Sequence, residues 1–131
     1  MIVVDSNILA YLLIEGAFTK RAESLLLSDA DWIAPMLWKS EFRNILAGYI
    51  RRADMTIDKA YQIAREAEFL LNGKEFEIDS LQVLELVRDS HCSAYDCEFV
   101  ALAINNHCKL ATMDKQILKA FPKVAIPLIA A

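Results

Sequence analysis

Met1-Ile2-Val3-Val4-Asp5-Ser6-Asn7-Ile8 is the stretch from which the fold can be read. Ile2 to Val4 is a β-branched run closed at once by three polar residues, the pattern of a short buried strand. Asp5 then stands at that strand's carboxyl end, the rim on which open α/β sheets bind their ligands. Ser6 and Asn7 can cap the apolar run Ile8 to Ile14 as a helix. The question for the rest of the chain is which other carboxylates reach the same rim.

Downstream, strand and helix patterns keep alternating. Thr19 to Leu27 reads as a helix with Ala22, Leu25 and Leu26 on one side and Lys20, Arg21 and Glu23 on the other. Asp29 and Asp31 mark a polar break and read as solvated turn residues, before a strand at Trp32 to Ala34 that Pro35 ends. Met36 to Arg52 forms a helix whose inward stripe is expected at Leu37, Glu41, Ile45 and Gly48, with Lys39 and Arg43 projecting elsewhere. A glutamate on that side is costly unless something compensates it. Its alternative use, favouring the dipole in the first turns, needs no inward position.

Thr56 to Leu71 is amphipathic, with Ile57, Ala60, Ile63, Ala64, Ala67 and Leu71 inward, Thr56 as N-cap and Asn72-Gly73 as the stop. A strand over Phe76 to Ile78 leads to a helix capped by Asp79 or Ser80 and running through Val87. Glu75, Glu77, Asp79, Glu85 and Asp89 read as caps and solvated positions. Ser93 or Ala94 opens a helix to about Asn106, with the stripe Asp96, Phe99, Val100, Ala103 and His107. Asp96 gains from that helix's positive end, while Glu98 points roughly opposite. Lys109 to Thr112 is the next strand, and Asp114 follows two residues after Thr112. Lys115 to Phe121 is a helix stopped by Pro122, and Val124 to Ile129 is a last strand. Strand, hydroxyl residue, aspartate, helix: the opening device recurs there.

Composition narrows the classes. At 131 residues the chain suits one domain, residues 1–131, long enough to bury a core without staples. Although 56% of residues are apolar, no uncharged apolar run reaches the length of a membrane span. Asp5 interrupts the apolar start too early for a signal peptide, so a cytoplasmic protein without a membrane partner is expected. Three cysteines, an odd number, argue against a disulfide framework. Cys92, Cys97 and Cys108, near His91 and His107, read as small buried hydrophobes in preference to a zinc centre.

The net charge of −4, from 14 basic and 18 acidic residues, is the wrong sign for holding nucleic acid by bulk electrostatics. Two stretches run against it: Lys109, Lys115, Lys119 and Lys123 oppose Asp114 alone, and Lys39, Arg43, Arg51 and Arg52 cluster around the central helix. Each is either a solvated face or a local anion-binding rim.

The alternation argues for a three-layer α/β/α sandwich with a mainly parallel sheet and right-handed crossovers. In such a fold Asp5 and Asp114 leave strands at the same edge, and Glu41 and Asp96 approach from helices. Two ionised carboxylates about 5 Å apart repel by roughly 3 kcal/mol at an effective dielectric of 20. Such a group either shares protons or is offset by a cation. Oxygen ligands without paired His or Cys favour Mg²⁺ or Mn²⁺, an ion that activates water and bridges phosphate oxygens. Phosphodiester hydrolysis is the chemistry that follows.

Four stretches carry a family resemblance: IVVDSNIL at the start, SEFRNIL around Glu41, SAYDCEFVALA around Asp96 and LATMDKQIL around Asp114. Taken in order, they resemble the acidic motifs of the PIN-domain ribonucleases, and within these the VapC-type toxins of toxin–antitoxin pairs. The resemblance covers essentially the whole chain. It implies a metal-dependent endoribonuclease in which Asp5 and Asp96 hold the metal most directly. Glu41 and Asp114 would complete the pocket through the metal, water or a second ion. Thr112, and Ser6 or Asn7, would orient carboxylates or water, and cleavage would leave a 5′-phosphate. It also implies a homodimer, an antitoxin that covers the cleft with a basic side chain, and RNA gripped by Lys39, Arg43, Arg51, Arg52 and Lys115.

Three other classes share part of this pattern. An aspartyl-phosphate phosphatase usually wants a second acid two residues after its first, where Asn7 stands. A receiver module needs an aspartate at the end of a middle strand. A PIN-like protein that only binds a partner keeps the fold without the chemistry.

Overall fold

A computed structural model describes residues 1–130; Ala131, the last residue of the expected domain, lies outside the described residues. Among the described residues five strands form one sheet in the order β3-β2-β1-β4-β5, and every neighbouring pair is parallel. They are β1 (Ile2–Val4), β2 (Trp32–Pro35), β3 (Glu75–Phe76), β4 (Leu110–Ala111) and β5 (Ala125–Ile126). Seven helices among the described residues connect them: α1 (Ser6–Leu13), α2 (Thr19–Ser28), α3 (Trp38–Arg51), α4 (Ile57–Leu70), α5 (Ser80–Arg88), α6 (Ala94–Asn105) and α7 (Lys115–Ala120). α1 packs with α2, α3 and α4, whereas α5 packs with α6. Right-handed crossovers that first run β1 to β3 and then return to β4 and β5 set these two groups on opposite faces. This is the expected α/β/α sandwich.

The strand order reverses beside β1, whose neighbours are β2 on one side and β4 on the other. A crevice opens at the carboxyl ends of strands flanking such a switch point. Register fixes what stands there. Val4 pairs with Ala111, so the next residues, Asp5 and Thr112, emerge side by side.

Several elements differ from the sequence reading, each for a local reason. α1 begins at Ser6, with Asp5 as its N-cap, so Ser6 and Asn7 lie inside the helix they were expected to cap. α3 begins at Trp38, not Met36, and its buried residues are Trp38, Phe42 and Leu46. Leu37, Glu41 and Ile45 lie one position earlier, about 100° around the helix, and they and Gly48 are only half-buried. Two large aromatics outcompete the smaller series for the core. Ile57, at the first position of α4, is 69% exposed instead of inward, while Ala60, Ile63, Ala67 and Leu71 are buried as expected.

β3 covers Glu75–Phe76 and stops before Ile78, and β5 ends at Ile126 instead of Ile129. His107 is not part of the α6 face: it follows the helix with φ 52, in the left-handed region, and closes a Schellman turn. Three of the acids read as caps or solvated positions have partners distant in sequence. Asp29 accepts from the Met1 amino group at 2.9 Å, Asp31 from Lys74 at 2.6 Å, and Glu75 from the Trp38 indole at 2.8 Å. Cys92 and Cys97 are buried, as read, and Cys108 is half-buried. No described helix is long and apolar enough to cross a membrane.

Candidate functional site

Asp5, Glu41, Asp96 and Asp114 come together at the switch point, where they line one cleft of about 210 Å³ with Ser6, Asn7, Asn44 and Ile45. Two arrive from strand ends and two from helices on opposite faces of the sheet. The cleft wall is mostly polar, and neither lysine nor arginine is among its lining residues.

The carboxylates of Asp5, Glu41 and Asp114 accept hydrogen bonds, and Asp96 is placed by the cap of its helix. The buried Thr112 hydroxyl donates to Asp5 Oδ2 at 2.7 Å and accepts the Asp114 backbone N–H at 3.0 Å. One hydroxyl therefore ties two of the acids together. Ser6, buried at the first position of α1, donates to Glu41 Oε1 at 2.8 Å. This holds the Glu41 side chain toward the rim although α3 turns its core face elsewhere. Ser93 caps α6 by accepting the Asp96 N–H at 3.1 Å, so Asp96 stands in the first turn at the helix's positive end. Asp114 Oδ1 accepts from the N–H groups of Gln116 and Ile117 as the N-cap of α7, at 2.9 and 3.0 Å.

Electrostatics set this group apart from ordinary surface acids. Burial pushes the Asp5 carboxyl up, the Thr112 and Ser6 hydrogen bonds pull it down, and the charges of Asp96 and Asp114 push it up again. Glu41 is likewise raised, first by burial and then by Asp5, Asp96 and Glu98, against the pull of Ser6. Asp96 is raised by burial and by Asp114, opposed by Ser93. Three carboxyls are thus driven toward protonation by desolvation and by one another. Glu98, expected to point away, lies close enough to add to Glu41's repulsion and is itself raised by burial, although it does not line the cleft.

The basic residues named as contacts sit elsewhere. Lys39, Arg43, Arg51, Arg52 and Lys115 are all absent from the cleft lining. Arg43 lines a separate groove between α3 and α4. Arg52 is held by Asp54 at 3.4 Å and stacks 4.8 Å from the centroid of the Tyr49 ring. Asn44 and Ile45 are the lining residues that the sequence reading did not assign to the site. The available signal was spacing: Asn44 and Ile45 follow Glu41 by three and four positions and share its side of α3.

The fold and the acidic cleft at its switch point define a class, the α/β/α domains that gather carboxylates at the sheet's carboxyl rim. The chain belongs to the PIN domain family, whose model matches residues 2–125. Solved structures of similar fold include PAE2754 from Pyrobaculum aerophilum, 22% identical, with a TM-score of 0.72 over 97% of this chain and 90% of that one. FitAcB from Neisseria gonorrhoeae is 17% identical, with a TM-score of 0.74 over 96% of each chain. FitAB bound to the IR36 DNA fragment is 18% identical, with a TM-score of 0.71 over 97% of this chain and 94% of that one. At these identities the likeness is one of fold. Among curated proteins no sequence relative matches.

Proposed function

We propose that this PIN domain is a metal-dependent endoribonuclease, acting as one nuclease domain and as the toxin of a toxin–antitoxin pair. The observation that carries the proposal is the convergence of Asp5, Glu41, Asp96 and Asp114 on a cleft whose lining offers no positive charge. A carboxylate set without histidine or cysteine suits a hard divalent cation. Among the described residues no three His, Cys, Asp or Glu side chains are grouped to hold an ion by themselves. An ion resting on one or two carboxylates, with water filling its remaining positions, is the habit of Mg²⁺.

In this reading Asp5 and Asp96 hold Mg²⁺ or Mn²⁺, and Glu41 and Asp114 complete the pocket through water or a second ion. The bound ion would supply positive charge beside the phosphate oxygens and lower the pKa of water. The protein's own residues position the rest. Thr112 fixes Asp5, Ser6 fixes Glu41, and the capped starts of α6 and α7 fix Asp96 and Asp114. Rigid anchoring of this kind keeps a site in working geometry. Asn7 and Asn44 add neutral amides to the wall, suited to hydrogen-bond a phosphate or a water.

The same lack of positive charge suits an antitoxin that inserts a basic side chain into the cleft. A homodimer follows from the same family reading. Lys39, Arg43, Arg51, Arg52 and Lys115, outside the cleft, would act on RNA away from the scissile phosphate. Incubation of RNA with the protein in Mg²⁺ or Mn²⁺ tests the proposal. Cleavage should stop in chelator and be lost in Asp5→Asn and Asp96→Asn. Cleavage that persists in either case would overturn it, and tight partner binding without cleavage would favour the non-catalytic reading.

A further inference from the structure

A second cavity, of about 180 Å³, adjoins the acidic cleft. Asn7 and Ile45 line both. Tyr11, Phe18 and Tyr49 give the second cavity three aromatic walls, and Asn7 and Glu15 give it polar edges. The link to the cleft is electrostatic as well as spatial, since the Tyr11 hydroxyl is raised by burial and by the charges of Asp5 and Tyr49.

We propose that this cavity holds one unstacked nucleobase of a single-stranded RNA whose backbone crosses the acidic cleft, an inference that rests on the nuclease reading above. Its size suits a single ring system, being smaller than the roughly 300–1,000 Å³ of pockets for drug-sized ligands. Sequence-tolerant RNA binding by aromatic stacking needs this kind of wall, and a base splayed out of its strand exposes edges that an amide or carboxylate can meet. The rings of Tyr11 and Phe18 are 5.0 Å apart and tilted by 52°, not stacked flat. Arg21 lies 5.3 Å from the Phe18 centroid and Arg52 4.8 Å from that of Tyr49. Neither arginine lines the cavity, so both back the aromatic walls from outside, where positive charge serves flanking phosphates. In a chain of net charge −4, stacking supplies affinity that bulk electrostatics cannot.

The test uses Asp5→Asn protein and short oligoribonucleotides, compared by fluorescence anisotropy with the same strands carrying one abasic ribose at successive positions. One position should weaken binding about tenfold or more when its base is removed, the range expected for one stacked base. Tyr49→Ala should abolish that difference and Tyr49→Trp should keep it. Equal binding of intact and abasic strands at every position would overturn the base slot and leave the cavity to a protein side chain. Wild-type cleavage in Mn²⁺ separates the two readings. RNA cut regardless of the abasic position removes the base slot alone, whereas RNA neither bound nor cut removes the nuclease reading beneath it.

Discussion

Thr112 and Asp5, 107 positions apart in sequence, are joined by a 2.7 Å hydrogen bond at the carboxyl ends of two adjacent parallel strands. The pairing of Val4 with Ala111 places them there, and the same hydroxyl accepts the Asp114 N–H. One buried side chain thus couples the register of the sheet to the geometry of two acids.

Thr112→Val should therefore destabilise the fold by about 1–3 kcal/mol, because it leaves a half-buried carboxylate oxygen and a backbone N–H without partners. Thr112→Ser keeps the hydroxyl and loses only a methyl, for about 0.5–1.5 kcal/mol. Urea denaturation of the pair checks this. Equal losses would mean that the methyl matters and the hydrogen bonds do not.

Asp5→Asn should stabilise the metal-free protein at neutral pH by about 0.5–2 kcal/mol, as relief of a strained functional site commonly does. The sign follows from the raised Asp5 carboxyl. A carboxyl raised on folding contributes stability that is complete below its unfolded value of 3.8 and is lost as pH rises through its folded one. The advantage of Asp5→Asn over wild type should thus be small near pH 4 and grow toward pH 7. Denaturation in chelator at several pH values reads the difference, and a gap that shrinks with rising pH would contradict it.

Gly48 sits inside α3, where an added Cβ would meet the Arg52 Nη1 at 3.1 Å. That neighbour is the tip of a flexible, exposed side chain and can move aside. Gly48→Ala should accordingly gain up to about 1 kcal/mol of helix propensity while displacing Arg52 from the Tyr49 ring. Thermal unfolding checks the gain; a loss would show that the arginine's seat is worth more than the helix preference.

Ala53 closes α3 with φ 59, and its N–H and that of Asp54 bond back to Ile50 and Tyr49 in a Schellman turn. The left-handed conformation costs an alanine about 1 kcal/mol that glycine does not pay. Ala53→Gly should raise stability by up to that amount in the same unfolding assay, despite glycine's greater freedom in the unfolded chain.

The fold is most legible in the sequence where a residue type marks a strand end. Asp5 and Asp114 follow short apolar strands, and the helix caps Thr56 and Ser93 sit where the pattern predicts. α3 shows the limit. Leu37, Glu41, Ile45 and Trp38, Phe42, Leu46 have the same four-residue spacing, so periodicity alone could not choose the core face. Glu41 nonetheless reaches the rim, through a bond to Ser6 across 35 positions that no local pattern announces. The tertiary partners of Glu75 and Asp31, Trp38 and Lys74, were hidden for the same reason.

Thermal unfolding across a Mn²⁺ titration, wild type beside Asp5→Asn, tests the central claim that the acidic cleft holds a divalent cation. Wild-type protein should show a saturable gain, worth about 2.7 kcal/mol at one hundred times Kd, and Asp5→Asn should lose most of it. No gain, or an equal gain in both proteins, would contradict the account.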